Sequence, residues 1–376
     1  MSEVALQGAD ALLMVGDSER DSDLFWATRF RAPDPFVYLR TAEKSWVMVK
    51  DLELDRAREQ VQGAEVISHS EYERRLGERP SLVGVLVEIL RKRNIQHVLV
   101  AENFPIGTAD ALRQANLVLT VAQAPLFPAR AFKDDREIEA IAGAQVAAEA
   151  GMSAAVEVLR RATIDGAQLL LEGVPLSSEQ VRRHIHHALL EHDCIAHHTI
   201  VAGGEQAIDP HQAGHGPLPA NKPIIIDIFP QHTPSGYYGD ITRTFVRGTI
   251  SDSVQHLYDT VLAAQLRALG QIRAGVDGQT AHDAVVSHFT EAGYETGEKD
   301  GRMQGFFHGT GHGVGLDIHE GPSLSRRSSK LETGHIVTVE PGLYYAGTGG
   351  VRIEDLVVVE DESYCNLTSF PKDLSL

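Results

Sequence analysis

Five side chains able to bind hard cations follow one another in the C-terminal part of this 376-residue chain. They are Asp227 in PIIID, Asp240 in GYYGDITRT, His312 in HGTGHGVG, Glu340 in TVEPGLY and Glu354 in VRIED. Four carboxylates and one imidazole are the donors that two neighbouring divalent cations need, and such a pair turns water into a nucleophile at neutral pH. The set implies a two-metal hydrolase. Each member alone has a plainer explanation: Asp227 as a surface acid, Asp240 as a turn cap, Glu354 as half of an ion pair with Arg352. The glycines around His312 could cradle a phosphate, but neither GxGxxG nor the Walker pattern is present. Three further histidines, His211, His308 and His319, flank the set.

The elements that must position these groups are legible as strands. Runs at 198–204, 222–229, 240–248, 335–341 and 351–360 read as strands, and all five candidate ligands are read as falling on or beside strands of this part of the chain. His312 lies among Gly309, Gly311, Gly313 and Gly315, which exclude a stable helix and predict a loop able to approach a ligand closely. Asp227 and Asp240 stand thirteen positions apart across the turn FPQHTPSGYYG, a hairpin-like spacing. Alternation places Ile225, Asp227 and Phe229 on one strand face, and Arg352, Glu354 and Leu356 on another. An acid between apolar neighbours is costly to bury unless paired, and a cation would serve. Glu340 precedes Pro341-Gly342, where a strand must end and the chain turn. Helices are predicted from Asp134, with Glu137 completing a capping box, from Ser177 with Gln180, and at about 252–272 and 278–292.

Upstream, strands are predicted at 46–50, 97–102 and 117–122, and an amphipathic helix at 80–94, a rhythm that indicates a small α/β domain with a partly parallel sheet. Pro125 and Pro128 in APLFPARAF mark a linker. The chain therefore reads as two α/β (α+β) domains, 1–127 and 128–376.

A net charge of −18 argues against nucleic acid or an anionic membrane as partner. The two cysteines, Cys194 and Cys365, form no CxxC, which argues against a disulfide framework or structural zinc site and fits a reducing compartment. The first residues lack a basic start followed by an apolar block, and SLVGVLVEIL falls short of the roughly 20 apolar residues of a membrane span. A cytoplasmic enzyme is expected. HExxH and GxSxG are both absent. Nothing positions Cys194 with His197 and His198 as a thiol nucleophile, and the histidines of HIHHALLEHD read as a solvated helix face.

The motifs PIIIDIF, GYYGDITRTF, FFHGTGHGVGLDIHE, VTVEPGLYY and GGVRIEDLVVV, in this order from about Lys133 onward, resemble the pita-bread metallopeptidases: aminopeptidase P, prolidase and, more distantly, methionine aminopeptidase. The N-terminal part more weakly resembles the small creatinase/prolidase-like domain of the proline-specific members, which methionine aminopeptidases generally lack. The resemblance implies two divalent metal ions, Mn²⁺ first, with Co²⁺, Zn²⁺ or Fe²⁺ as alternatives. By the same resemblance Asp227 would hold one metal, His312 and Glu340 the other, and Asp240 and Glu354 would bridge both. Glu340 would pass a proton to the leaving nitrogen. His211, His308 and His319 match positions that bind substrate, steady the intermediate or shuttle protons, and Arg352 would orient the carboxylates. A homodimer is also implied.

The implied activity is that of an Xaa-Pro aminopeptidase acting on peptides with proline at the second position. An Xaa-Pro dipeptidase (prolidase) and a catalytically silent binding module of the same fold are the alternatives. A silent module should lack ligands and carry added basic segments, and metal-free amidine hydrolysis of the creatinase kind should lack the acids; here all four acids remain. The bond itself favours a shaped pocket. An Xaa-Pro amide has no N–H, so docking it as an added β-strand loses a hydrogen bond, and an acidic site suits a cationic N-terminal amine. Two departures from the family lie at the rim: the family's two aspartates stand slightly closer together, and IDIFP replaces the usual glycine-containing strand end. Both bear on substrate choice more than on metal binding.

Overall fold

The computed structural model describes residues 6–77, 81–123 and 125–376. Pro80, the start of the expected amphipathic helix, and Ala124, the first residue of the expected linker, lie outside the described residues. The chain divides into two compact units, Met1–Arg130 and Ala131–Leu376.

In the first unit a six-stranded mixed sheet runs, edge to edge, Glu65–Ser68, Ser45–Val49, Phe36–Arg40, Ala11–Gly16, His97–Val100, Val118–Val121. Ala11–Gly16 pairs antiparallel with Phe36–Arg40 and parallel with His97–Val100. It is apolar because it is covered on both faces. Leu13 packs with Leu86 and Leu90 of the helix Leu82–Lys92, while Leu12 and Met14 pack on the other side with Leu24 and Phe30. That two-sided burial hides Ala11–Gly16 and Phe36–Arg40 from a reading by periodicity, since an unbroken apolar run has no alternation. Ser81 caps Leu82–Lys92 by accepting the Gly84 N–H.

The second unit is built around two larger sheets, each backed by a pair of helices, with smaller two- and three-stranded sheets beside them. Asp135–Arg161 and Ser178–Leu190 start at full capping boxes, Asp134 with Glu137 and Ser177 with Gln180. Their apolar faces, including Met152, Ile185 and Leu189, cover Ile224, Ile226 and Ile228 of a three-stranded sheet. That sheet runs Ile200–Gly203, Pro223–Ile228, Ile241–Val246, all antiparallel. Asp252–Leu269 and Gly278–Glu291 likewise pack Val261, Val285 and Phe289 against Val337, Val339, Val357 and Val359. Those valines belong to a five-stranded sheet in the order Glu320–Leu324, Gly311–Gly313, Ile336–Val339, Asp355–Val359, Tyr364–Asn366. This is the mixed α/β pita-bread architecture.

Period-two alternation then decides what faces away from the helices. If Ile224, Ile226 and Ile228 face one helix pair, Ile225 and Asp227 face the other way. If Val337 and Val339 face the second pair, Thr338 points away from it, and Glu340 one residue past the strand follows. The polar residues of each motif thus share the uncovered sheet faces.

Two expectations need correction. The run 351–360 is not one strand: Gly349–Arg352 pairs with Gly342–Tyr345, while Asp355–Val359 belongs to the five-stranded sheet, and Ile353-Glu354 forms the step between them. The glycine-rich run around His312 is not a loop throughout. Gly311–Gly313 is a short strand, and glycine serves there to let neighbouring chains come close. Among the described residues, no helix is long and apolar enough to cross a membrane.

Candidate metal centre

The hairpin register brings the first two acids together. Asp227 lies opposite Thr242 in the ladder, and Asp240 precedes Thr242 by two, so all three share one sheet face. The main chain at three of the candidate ligands is fixed by single hydrogen bonds: the Asp240 N–H donates to Gln145 Oε1 (2.7 Å), the Glu340 N–H to the Thr310 carbonyl (2.7 Å) and the Glu354 N–H to the Thr242 carbonyl (3.1 Å). Asp227, Asp240 and Glu354 are buried, and His312 and Glu340 are partly so.

The side chains converge. Asp240, His312 and Glu354 each offer a ligand atom within 4.8 Å of the others'. His312 Nε2 lies 3.6 Å from Asp240 Oδ2 and 3.5 Å from Glu340 Oε1. Its Nδ1 is 3.1 Å from the Gly313 carbonyl, so that nitrogen carries the proton and Nε2 turns its lone pair toward the acids. Arg352 Nη2 donates to Asp227 Oδ2 (2.7 Å) and Arg352 Nε to Thr242 Oγ1 (3.3 Å), while Thr242 Oγ1 donates onward to Glu354 Oε2 (2.7 Å). Asp227 Oδ1 and Glu354 Oε1 are both buried with no hydrogen-bond partner. Two orphaned carboxylate oxygens at one place are costly by themselves, and divalent cations are what this donor set fits.

Electrostatics agree. Burial, followed by the charges of Glu354, Asp227 and Glu340, holds the Asp240 carboxyl well above the usual range. Glu354 is raised likewise by burial and by Glu340 and Asp227. Glu340 is pushed up to about 7, chiefly by burial and then by Asp227, against the lowering influence of Arg352 and a Thr338 hydrogen bond. Burial, with His319 nearby, depresses the His312 imidazole to about 4. Acids crowded into a site that disfavours their charge, beside a neutral imidazole, describe a cation site seen from the protein side.

All five ligand candidates line one cavity of about 810 Å³, together with His211, His308, His319 and Arg352. His319 packs edge-on to His312, ring centroids 4.3 Å apart. His308 is held at both nitrogens, Nδ1 by the Gly309 carbonyl (2.7 Å) and Nε2 by Tyr344 OH (2.9 Å). Burial and then Arg352 depress it to about 3, so it is neutral. Arg352 Nη1 also donates to Tyr344 OH (3.0 Å) and to the carbonyl of Pro210 (3.3 Å), next to His211. Cys194 is buried with its thiol pushed up to about 11 by burial, which argues against a thiolate there. His198 lines the cavity, whereas most of the HIHHALLEHD histidines are exposed.

Sequence reasoning missed Thr242, Thr338, Tyr344 and Gln145. A threonine in an otherwise apolar strand, in step with an acid two residues away, is a signal for the first two: Asp240 with Thr242, and Thr338 with Glu340. Thr338 Oγ1 accepts the His312 N–H (3.1 Å). Gln145 sits inside a long helix and Tyr344 in an apolar strand, where nothing local marks them.

Gly311 is required by its neighbour, since a Cβ there would lie 1.9 Å from the Thr338 carbonyl oxygen. Gly311→Ala must push apart the strands carrying His312 and Glu340. A destabilisation of roughly 1–3 kcal/mol is expected, read as a lower midpoint of urea unfolding. An unchanged midpoint would mean the strands can separate freely.

A metal-compatible acid and imidazole cluster on the open faces of two helix-backed sheets defines a pita-bread metallopeptidase. The model of metallopeptidase family M24 matches residues 139–361, and the chain belongs to that family of divalent-metal peptidases. The Xaa-Pro dipeptidase from Bacillus anthracis superposes with a TM-score of 0.82 at 27% identity, over 98% of this chain and 96% of that one. The X-Pro aminopeptidase from Thermotoga maritima MSB8 shares the fold, with a TM-score of 0.80 at 24% identity over 98% of both chains. An uncharacterized peptidase of Bacillus subtilis (strain 168), YqhT, is 38% identical over 176 residues, which is 46% of this chain and 47% of that protein.

Proposed function

We propose that the protein is a dinuclear-metal exopeptidase that cleaves the bond between an N-terminal residue and proline. The observation that carries this reading is the pair of orphaned buried oxygens, Asp227 Oδ1 and Glu354 Oε1, beside the Asp240–His312–Glu354 cluster. Asp227, Asp240, His312, Glu340 and Glu354 would hold two divalent cations, with Asp240 and Glu354 shared between them and Mn²⁺ as the leading candidate. When bound, the cations supply Lewis-acid polarisation of the scissile carbonyl and make water a nucleophile at neutral pH.

The remaining chemistry belongs to side chains. Glu340, only partly buried at the cavity edge, accepts a proton from water and delivers it to the proline nitrogen, which has no hydrogen of its own and must gain one to leave. Arg352 holds Asp227 directly and Glu354 through Thr242, which keeps the acids at their stations. His319, exposed in the cavity and against His312, and His211 are placed to meet substrate. His308, neutral and bonded to Tyr344 and the Gly309 carbonyl, serves as a fixed polar wall of the cavity.

The cavity of about 810 Å³ lies within the roughly 300–1,000 Å³ range of ligand pockets and has room for short Xaa-Pro peptides as well as dipeptides. The likeness to the Bacillus anthracis dipeptidase favours the second reading, a prolidase. One panel tests both. After chelation and addition of Mn²⁺, Co²⁺ or Zn²⁺, cleavage of Xaa-Pro substrates is expected to return, with Xaa-Pro tripeptides faster than dipeptides. Dipeptides alone being cleaved would favour the prolidase, and no cleavage with any metal would overturn the peptidase reading.

A further inference from the structure

We propose that the segment Asn366–Lys372 is a working part of the metal centre, holding the main chain that carries Asp240 and Glu354 through Thr368 and Arg243 as positioning residues. The inference rests on reading the site as a divalent-metal centre. Thr368 Oγ1 accepts the Leu356 N–H (2.8 Å) and a Gln145 Nε2 hydrogen (2.9 Å), and the Gln145 Oε1 accepts the Asp240 N–H (2.7 Å). One hydroxyl therefore joins the main chain just beyond Glu354 to the main chain of Asp240. Gln145 and Thr368 are buried, at 0% and 6% exposure, so a broken link there leaves a donor without water.

Arg243 makes the second link. Its guanidinium is 1% exposed and uses all five donors. Nη1 donates to the carbonyls of Thr242 (2.9 Å) and Glu354 (2.5 Å). Nη2 donates to Asp355 Oδ1 (2.9 Å) and the Phe370 carbonyl (2.8 Å), and Nε to the Pro371 carbonyl (3.0 Å). Asn366 Nδ2 (3.0 Å) and Lys372 Nζ (2.6 Å) close the network on Asp355 Oδ2. The carbonyl of Glu354, that of Thr242 two residues past Asp240, and two from the C-terminal segment thus meet at one guanidinium.

Asp227 is held by Arg352, but the side chain of Glu354 has a lighter restraint of its own. Glu354 is held by Thr242 at Oε2, and its Oε1 has no partner. Where side chains are so lightly tethered, the position of the main chain sets how well they converge on a cation. Groups behind metal ligands typically change affinity by about 10–100-fold when removed.

The test titrates the metal-free full-length chain with Mn²⁺ by calorimetry. Thr368→Val keeps the side-chain volume and removes the hydroxyl. Its Mn²⁺ affinity is expected to fall by about 10–100-fold, with kcat on an Xaa-Pro peptide falling and KM little changed, while Thr368→Ser restores both. Ser369→Ala, which loses only the hydroxyl's hydrogen bond to Glu149 Oε2 and keeps the backbone N–H bond to Glu149, should bind Mn²⁺ as the unaltered chain does. Lys372→Met probes the surface end of the network should Thr368→Val fail to fold, and weakened Mn²⁺ binding is expected there too. Unaltered affinity in Thr368→Val, or in Lys372→Met if it must stand in, overturns the inference alone. Absence of Mn²⁺ binding by the unaltered chain overturns the inference together with the reading of the site.

Discussion

Asp240→Asn or Glu354→Gln is expected to lower kcat on an Xaa-Pro substrate by on the order of 10³-fold, because several kcal/mol of transition-state charge stabilisation depend on both cations being held. Each substitution keeps the shape of the side chain and removes one charged donor from a cluster confined within 4.8 Å. The fold should survive, and for a physical reason. Without metal these acids are crowded together in a buried place, and burial and mutual repulsion raise both above the usual carboxylate range. Neutralising one removes part of that repulsion. The metal-free variants should therefore melt at or above the temperature of the metal-free parent at neutral pH, yet gain less from added Mn²⁺. Thermal melts with and without chelator, beside turnover, measure both halves. Near-normal turnover in either variant would sink the sharing of these two acids between metals.

The contribution of Glu340 to the stability of the metal-free protein, read as the difference between the parent and Glu340→Gln so that the opposite slope of the buried neutral His308 and His312 cancels, is expected to fall as pH rises from about 4.5 toward 7, and added divalent cation should abolish that fall. The sign follows from which state holds more protons. Glu340 is pushed from its ordinary value of 4.5 up to about 7 in the folded chain, mainly by burial and then by the charge of Asp227. Below 4.5 it is protonated both folded and unfolded, so its contribution is fully present. Above that, the unfolded chain releases the proton first, and stability declines until the folded group also ionises near 7. For this one group the change is roughly 3 kcal/mol, an order-of-magnitude figure. Asp240 and Glu354, raised for the same reasons, extend the decline upward in pH. Cations take the place of these protons, so binding should release protons and flatten the profile. A parent-minus-Glu340→Gln difference that is flat or rises across this range would contradict the crowding of the acids.

Much of the candidate site was legible in the chain because each candidate ligand stands out against a background that should exclude it. Asp227 interrupts an isoleucine run, Glu354 a valine-rich one, and Glu340 stands where Pro-Gly ends a strand. The hairpin spacing also carried through, with the register setting Asp227 opposite Thr242. What the sequence hid was of two kinds. Strands covered on both faces, such as Ala11–Gly16, have no alternation to read. Contacts made across long separations, such as Gln145 to Asp240 or Arg243 to Phe370, depend on which sheets the elements join, and no local pattern encodes that. The break at Ile353-Glu354 belongs with the second kind. Nothing in VRIEDLVVV shows that the chain leaves one sheet and enters another there, although the step is what carries Glu354 toward Thr242.

Crystals of the full-length chain soaked in Mn²⁺ and measured at a wavelength where manganese scatters anomalously test the central claim most directly. Two anomalous peaks are predicted, one beside Asp227 and the other beside His312 and Glu340, with Asp240 and Glu354 touching both. A cavity without a peak, or with peaks only at surface acids, would contradict the account.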